Sequence, residues 1–565
     1  MKGERREAEA FCLLPSTLYL PPSTFHLLPP TFYLLPSTFS ALVPKKYELV
    51  IIFIRFIPGQ AIGLFCKSTI MRKAIVLSVF ACIITVFALN CSQTRVLNDE
   101  ETTIYNAFCD STDPNSPCSV IPIDVDEVLS GGGGRGFGYD SFLDSAHQTP
   151  FDVFAWQTFI ALNWPSDTSG NPTGSIYDAP TAPRVWEHYT DPAEVFGHGN
   201  PSLTFYLAQA SKNGQKFFYM DSKAPVPINQ GDTVNMNKFI HTKNLQGFKE
   251  ADGHPLIDRN LNFALYEIKL NPIETQFIID SNLSTLQGIY TYGQKYGNDI
   301  DLPASDSATR NPGSMEIKAS WRILVPSLGD DTTRYYCRRA TVYVDSAHTV
   351  NGKPLVLTNV QVGLVGMHII RKTAKVKNNE IWITFEHVDN TPDNPQEAQQ
   401  TARQWSFYNP LCLNCPPNDA PDTLSGDGGV YKWNTSMPYA SRYGVKAPGQ
   451  DLPRTFGTQV TRAYPIYKFT EMTNRLWQQK LKGSVWANYR LIGTQWQQSE
   501  IFPSPTAPNF LANTTLETYI QSDASCITCH QAASVTFNNT RISTDLSFVF
   551  PVYARDSTVA IKPRK

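Results

Sequence analysis

Hydrophobic and polar residues alternate with a period of two through much of the segment from residue 165 to about 390, a period typical of β-strands. Between Met315 and Val325 every odd-numbered residue is apolar, whereas four even-numbered ones are polar: Glu316, Lys318, Ser320 and Arg322. The pattern predicts a strand with one buried face and one charged, solvent-facing side. Three further segments alternate in a similar way: 261–270, 340–345 and 381–389.

Strands of this kind, separated by turns rich in Pro, Gly and Asn, predict an α+β fold with a β-rich antiparallel core, either a sandwich or barrel-like. Val362 to Ile370 is apolar on both faces, as expected of a central strand. Thr149 and Pro150 suit a helix start, which predicts a helix over 150–162. A second helix is predicted over 470–481, and a further strand over 485–495.

Composition divides the chain into parts of different character. Residues 148–500 are the predicted α+β body, and residues 501–565 form a C-terminal segment that carries the candidate chemistry. Residues 1–70 include a seven-residue repeat between positions 13 and 40, with proline in every copy. Because each proline removes a helix donor, we expect residues 1–70 either to be a disordered Pro-rich spacer or to be untranslated sequence ahead of the true start codon.

Residues 71–91 have the layout of a signal peptide. Met71, Arg72 and Lys73 give a basic start, and an apolar run then leads towards Cys91. The run is shorter than the ~20 residues that a spanning helix needs. A lipoprotein-like signal with lipidation of Cys91 is predicted, and ordinary cleavage or an uncleaved anchor are the alternatives. Residues 92–147 are polar, contain a glycine-rich stretch and predict a flexible tether.

Export would place the protein in the bacterial cell envelope, either in the periplasm or as an outer-membrane lipoprotein held by its N-terminal lipid or signal anchor. The 48 basic and 50 acidic residues form no long run of either sign, so we expect no nucleic-acid partner. With 42% hydrophobic residues, including 32 Phe, 25 Tyr and 10 Trp, the 565-residue chain can bury a large core.

The strongest chemical signal is the spacing of Cys526, Cys529 and His530, which spell Cys-x-x-Cys-His. This is the attachment signature of c-type haem, in which two thiols bond the haem vinyl groups and the adjacent imidazole binds the iron. The sequence therefore predicts one covalent haem c if the chain is exported. A plain disulfide beside an incidental histidine is the alternative.

The other cysteines fit an oxidising compartment. Cys412 and Cys415 lack a following histidine, so a local disulfide is predicted there rather than a second haem site. A zinc site that joins this pair to the C-terminal pair is disfavoured, because the two pairs are too far apart for the usual ribbon spacing. If Cys109 bridges Cys118, then Cys337 is left over and is expected to be buried.

The second axial ligand of such a haem is left open by the sequence. His387 is the first candidate, because Glu386 and Asp389 could orient its ring. His368 is the second, because a polar group on the doubly apolar strand needs a partner. A methionine could serve instead, with three candidates: Met367, Met437 and Met472. An iron with an open sixth position fits the sequence equally well.

Short motifs spread over residues 150–550 resemble a large family of single-haem bacterial envelope proteins with c-type cytochrome character. They are Phe154 to Gln157, Ala161 to Pro165, Gly366 to Ile369, Thr384 to Asn390, Gly493 to Trp496 and Cys526 to His530. The resemblance implies haem and export, and only the haem motif carries residue-level roles. It implies no particular reaction or substrate.

Electron transfer with an unknown redox partner protein is the simplest function for such a chain. The body is large for an electron carrier, so a haem-dependent redox enzyme that reduces peroxide or another small oxidant is an alternative, with His387 and Glu386 as acid-base groups. A lipoprotein that uses haem for sensing or binding is a third. Six-coordinate low-spin iron would favour electron transfer, whereas five-coordinate high-spin iron would favour catalysis or sensing.

Overall fold

The computed structural model describes two backbone stretches near the N-terminus and most of the body. The described ranges are 52–57, 60–64, 116–125, 145–178, 181–197, 201–220, 254–376, 380–398, 403–412, 415–420, 432–440, 457–497 and 506–555. The proline-rich repeat, the signal-like run with Cys91, and Cys109 lie outside these residues. The chain divides into two compact units, Met1–Thr102 and Thr103–Lys565. In the first, β1 (Ile52–Ile57) pairs antiparallel with β2 (Gln60–Leu64).

The second unit is built on one eight-stranded sheet. Its strands are β3 (Lys216–Met220), β4 (Leu265–Leu270), β5 (Met315–Ile323), β6 (Cys337–Val344), β7 (Leu355–Lys372), β8 (Glu380–His387), β9 (Tyr489–Gln497) and β10 (Thr506–Ala507). Neighbours follow the order β10, β9, β8, β7, β5, β4 and are antiparallel. β6 pairs with β7 and, in parallel, with β3. The long central strand β7 thus joins both parts of a nearly closed, barrel-like sheet.

Helices and one small hairpin surround this sheet. The helices are α1 (Ser145–Leu162), α2 (Pro192–Val195), α3 (Pro201–Lys212), α4 (Pro272–Asp280), α5 (Leu286–Lys295), α6 (Pro395–Ala398), α7 (Lys468–Lys480), α8 (Cys526–His530) and α9 (Val549–Tyr553). The hairpin consists of β11 (Ser534–Phe537) and β12 (Thr540–Ser543). Within the described chain, no helix combines the length and apolar character required to cross a bilayer.

One face of the sheet carries the main hydrophobic core, and α1 and α7 cover it. The Phe159 ring on α1 stacks on Phe385 of β8 with ring centroids 4.0 Å apart. Trp156 meets the same phenylalanine edge-on at 4.9 Å, and its indole N–H donates to Asn474 Oδ1 on α7 at 3.0 Å. Aromatic pairs of this geometry add to the stabilisation that area burial alone provides. The aromatic residues of α1 therefore hold both helices to the sheet.

The predicted first helix starts earlier than expected, because α1 begins at Ser145 and contains Pro150 instead of beginning with it. Gln148 Nε2 donates to Asp152 Oδ1 and to Thr494 Oγ1, each at 2.8 Å. This contact with β9 fixes the turn ahead of the proline, and the local sequence gives no sign of it. Burial raises the pKa of Asp152 to about 6, although three side chains donate hydrogen bonds to its carboxylate.

The second face of the sheet is polar and is nevertheless buried. The expectation that the even-numbered side of β5 faces solvent is wrong, because Ser320 is 0% and Arg322 1% exposed. Arg322 forms ion pairs with Asp258 and Asp330, at 2.7 Å each, and Ser320 shares a hydrogen bond of 2.7 Å with Thr515. A period of two identifies residues that share a face, but it does not reveal whether another segment covers that face.

Residues 508–530 cross this polar face, and Asn513 fixes them there. Its Nδ2 donates to Thr384 Oγ1 and to the Phe385 carbonyl, at 2.9 Å each. Its Oδ1 accepts from the Thr515 amide and hydroxyl, at 2.9 and 2.8 Å. The two segments lie so close that a Cβ at Gly366 would stand 2.2 Å from Thr515 Oγ1. Only glycine permits this approach.

The α+β class and the β-rich, barrel-like core expected from the sequence are confirmed. The sandwich alternative does not hold for the described body, because its long strands all belong to one sheet. The strands predicted at 315–325, 362–370 and 381–389 correspond to β5, to part of β7, and to β8. The helix predicted over 470–481 corresponds to α7.

Asn513→Ala should destabilise the fold by roughly 2–4 kcal/mol, because it removes several buried hydrogen bonds and leaves the Thr384 and Thr515 groups without this partner. Urea unfolding followed by circular dichroism measures the change. Asn213→Ala, at an exposed position just after α3, serves as the matched control and should have an effect close to zero. Equal stability of the two variants would contradict the anchoring role of Asn513.

Candidate functional site

The Cys-x-x-Cys-His motif forms the short helix α8 on the polar face of the sheet. Cys526, Cys529 and His530 stand at positions i, i+3 and i+4, so the helical turn places them on one side. Ile527, between the two cysteines in sequence, is 0% exposed. The motif therefore presents its two thiols and its imidazole together, while its isoleucine anchors it to the body.

Gln495 of β9 ties α8 to the sheet. Its Oε1 accepts from the Ile527 amide at 3.0 Å, and its Nε2 donates to the Pro508 carbonyl at 2.7 Å. The side chain is fully buried, so both of its polar ends are satisfied within the protein. Ser525, directly ahead of the helix, accepts from the Cys529 amide at 2.9 Å through its carbonyl. These bonds fix the orientation of the motif relative to β9.

The two thiols of the motif are free, half-buried and not joined to each other. Burial raises the pKa of Cys526 well above its ordinary value, and the nearby Glu517 carboxylate raises it further. Burial also raises the pKa of Cys529. Both side chains are therefore protonated thiols at neutral pH. By contrast, Cys412 and Cys415 are joined in a disulfide.

His530 is held by a backbone carbonyl and by aromatic rings. Its Nδ1 donates to the Leu546 carbonyl at 2.7 Å. The ring packs against Trp382 at 4.2 Å and against Phe548 at 4.8 Å between centroids. Burial lowers the pKa of His530 to about 4. Lys318 and His368 lower this pKa further, while the hydrogen bond to Leu546 and the Glu517 carboxylate act in the opposite direction. The imidazole is therefore neutral at physiological pH.

The acceptor at Leu546 belongs to a backbone segment of unusual conformation. Asp545 and Leu546 both have left-handed backbone angles, with φ of 52° and 62°. Such angles are uncommon for residues other than glycine and cost energy, especially for a residue like leucine. The left-handed pair directs the Leu546 carbonyl towards His530.

His368 lies on the sheet face that the motif covers. In the strand register it stands beside Lys318 of β5 and Thr384 of β8, so the three side chains share one side of the sheet. His368 Nε2 lies 3.3 Å from Glu517 Oε2, and Glu517 belongs to the segment that leads into α8. The second-ranked candidate for an axial ligand is therefore in the surroundings of His530.

His387 lies elsewhere and is already engaged. It ends β8, five residues beyond Trp382 and thus roughly 16 Å further along the strand. Its Nε2 donates to the Arg334 carbonyl at 3.0 Å, and its Nδ1 accepts from the Asp389 amide at 3.1 Å. The side chain is 0% exposed and stacks on Tyr335. Both ring nitrogens have partners, so the geometry favours His368 over His387 as a ligand.

The methionine candidates for the second iron ligand lie away from the motif, and the two candidate acid-base residues lie apart from each other. Met367 points into the aromatic core, on the other side of β7 from His368, while Met437 and Met472 are exposed. Glu386 accepts from Arg462 at 2.7 Å and from the Thr514 amide at 2.6 Å. It therefore forms no acid-base pair with His387. Cys337 is free and buried.

The residues of the motif fit the attachment and ligation of a haem. A metal-binding histidine commonly donates its second ring N–H to a carbonyl, which leaves the other nitrogen for the metal, and His530 has this arrangement through Leu546. A ligand histidine must also be neutral, as His530 is. The thiols are free and on the same side of the helix. In the part of the chain that the structure describes, there is no cluster of three or more His, Cys, Asp or Glu arranged to hold a metal ion by themselves.

Three contributors to this site were not identified from the sequence. Trp382 covers His530, Glu517 meets His368, and the backbone of Leu546 fixes the imidazole. Trp382 and Thr384 share the even-numbered side of β8 with Glu380, and this pattern could have indicated a second functional face. A backbone carbonyl leaves no signal in the side-chain sequence, so the role of Leu546 could not have been found that way.

Comparisons with known proteins do not identify a family or a function for this chain. No protein-family model, no curated protein and no solved structure matches the chain. The functional argument therefore depends on the geometry of this site. The resemblance to single-haem envelope proteins remains an expectation from the sequence.

His387→Gln should make the stability of the protein less sensitive to acid. Burial lowers the pKa of His387 to about 4 from its ordinary 6.5, so the unfolded chain binds a proton that the native protein does not. The free energy of unfolding should consequently fall as pH drops from about 6.5 to about 4 in the wild type, and fall less steeply in the variant.

Urea unfolding at a series of pH values measures this slope. The exposed-site variant Gln287→Ala on α5 should keep the wild-type slope. An unchanged slope in His387→Gln would show that the buried imidazole is not the group that titrates.

Proposed function

We propose that this protein is an exported c-type cytochrome that carries one covalent haem c and transfers single electrons. Cys526 and Cys529 would attach the haem, and His530 would be its axial ligand. The observation that carries the proposal is the arrangement of α8, with two free thiols and a neutral imidazole on one side of a single turn. The carbonyl of Leu546 holds that imidazole in the tautomer that leaves Nε2 for a metal.

Each residue of the motif has a distinct task in this proposal. Each thiol would add across a haem vinyl group, with its sulfur bonding one vinyl carbon and its hydrogen moving to the other, so that no net oxidation is needed. Leu546 fixes the orientation of His530, and Trp382 and Phe548 pack against its ring and shield part of it from water. The haem itself supplies the one-electron chemistry of iron. Burial of the ligand and its hydrogen bond are the features by which a protein tunes such a group.

His368 is the residue that we propose for the second axial position. It shares the polar sheet face with the motif and is 7% exposed. Its Nε2 lacks a well-formed hydrogen bond, although Glu517 is 3.3 Å away. A buried imidazole nitrogen without a well-formed hydrogen bond is able to bind a metal. Glu517 would then stabilise the charge of the metal site. His387 has no such free nitrogen.

Electron transfer is favoured over peroxide reduction by the separation of the expected acid-base pair. Glu386 bonds to Arg462 and to the Thr514 amide, while His387 bonds to the backbone of Arg334 and Asp389. These two side chains do not meet at a common site. The proposal includes a redox partner protein and a location in the bacterial envelope, both of which derive from the motif and the signal-like run.

Replacement of Cys526 and Cys529 by serine should abolish covalent haem, because no sulfur remains to bond the vinyl groups. The protein should be exported in a host with haem-attachment machinery and then denatured, and the optical spectrum shows whether the colour stays with the chain. The matched control replaces Cys412 and Cys415, the disulfide pair, and should keep the haem. A colourless, folded wild-type protein would exclude the proposal.

His368→Ala should convert a six-coordinate low-spin iron into a five-coordinate high-spin one, while His387→Gln should leave the low-spin state in place. Optical and electron paramagnetic resonance spectra of the oxidised protein distinguish the two states. A low-spin spectrum that survives in His368→Ala would assign the ligand to another residue. A high-spin wild type would favour catalysis or sensing over electron carriage.

A further inference from the structure

A group of buried carboxylates lies beside the backbone segment that holds His530. Its members come from four separate parts of the fold: the buried Glu274 of α4 and Glu380 of β8, and the half-buried Glu316 of β5 and Asp545, which follows β12. Glu274 is 0% and Glu380 4% exposed. Such a concentration of acids away from water is costly unless some of them are neutral.

Glu274 is the most isolated of these acids. Among the described residues, no N–H or O–H group donates to either of its carboxylate oxygens. Its contact is with another acid, because its carboxyl hydrogen-bonds Glu316. Burial, and then the charge of Glu316, raises the pKa of Glu274 well above 4.5, and burial also raises the pKa of Glu316. Burial and the facing acid therefore favour the protonated form of Glu274, whose O–H would face Glu316.

The pair is connected to the haem motif through three consecutive residues. Leu546 accepts the hydrogen bond from His530 at 2.7 Å. On one side of it, the Ser547 hydroxyl bonds Glu316. On the other, Asp545 accepts from the Leu302 amide at 2.7 Å and pairs with Lys372. The left-handed turn that directs the Leu546 carbonyl is therefore held at both ends by the acid group.

Charged residues on every neighbouring element define the electrostatics of the pair. Glu380 faces it from β8 and Asp545 from the C-terminal segment, and both disfavour further negative charge. Lys372 of β7 brings a positive charge to this group, because it forms ion pairs with Asp545 and Asp301. The Asp301 side chain is 80% exposed, so the acid group reaches the protein surface at this ion pair.

We propose that the Glu274–Glu316 pair takes up one proton when the iron gains an electron, so that this protein couples electron transfer to proton transfer. The inference rests on the proposed haem function. The electron comes from a one-electron donor and reduces ferric to ferrous iron, which removes one positive charge next to His530. The proton comes from water and ends on a carboxylate oxygen of the pair, so the total charge of the buried region stays constant. In a medium of low dielectric constant, this compensation stabilises the reduced state.

The test is a redox titration of the full-length haem protein at a series of pH values. Because reduction raises the proton affinity of the pair, the midpoint potential of the wild type should fall as pH rises, by up to about 59 mV per tenfold change in proton concentration. Glu274→Gln and Glu316→Gln should each flatten this slope, since an amide keeps the shape of the side chain but does not titrate. Glu471→Gln, at a partly exposed acid of α7, is the matched control and should keep the slope.

Infrared difference spectra between reduced and oxidised protein give a second readout. A new carbonyl band of a protonated carboxyl group should appear on reduction of the wild type and should be absent from both pair variants. A haem protein whose potential does not vary with pH would overturn the coupling while leaving the cytochrome function intact. A slope and band that persist in both variants would also overturn it, and a protein without haem would overturn both proposals.

Discussion

The close approach of residues 508–530 to the polar face of the central sheet is the constraint on which the rest of this structure depends. A sheet face that carries Ser320, His368 and Thr384 cannot be covered by apolar side chains without leaving buried polar groups unpaired. Asn513 solves this problem, because it bonds both the sheet and its own segment. The absence of a side chain at Gly366 lets the Thr515 and Asn513 side chains approach the backbone of β7. The position of α8 follows from this contact.

Much of the fold could be predicted because its signals are local. Alternation identified β5 and β8, and the doubly apolar stretch identified β7 as central, since pleated strands place neighbouring residues on opposite faces. The residue pattern over 470–481 identified α7. The cysteine and histidine of the motif were also evident, because their meaning lies in their spacing. In each of these cases the information is contained within a few consecutive residues.

The remainder could not be predicted because it depends on residues far apart in sequence. The polar side of β5 appeared to be a solvated face, and only the placement of Thr515 shows that it is an interior one. The ranking of His387 above His368 relied on neighbouring acids in sequence. In the fold, those acids have other partners, and the backbone of Arg334 takes the imidazole. Likewise, the start of α1 depends on a hydrogen bond from Gln148 to Thr494 on β9.

The cover formed by residues 508–555 also has a consequence for biogenesis. This segment is synthesised after the long strands of the sheet, and its contacts with β5 and β8 span more than a hundred residues of chain. Contacts of such sequence separation form late in folding, because the intervening chain must first lose its freedom. In the proposed cytochrome, the thiols of α8 would stay accessible to the haem-attachment machinery until that last docking step. If haem is attached as proposed, the topology would order maturation ahead of the final folding step, with haem added before residues 508–555 cover the sheet face.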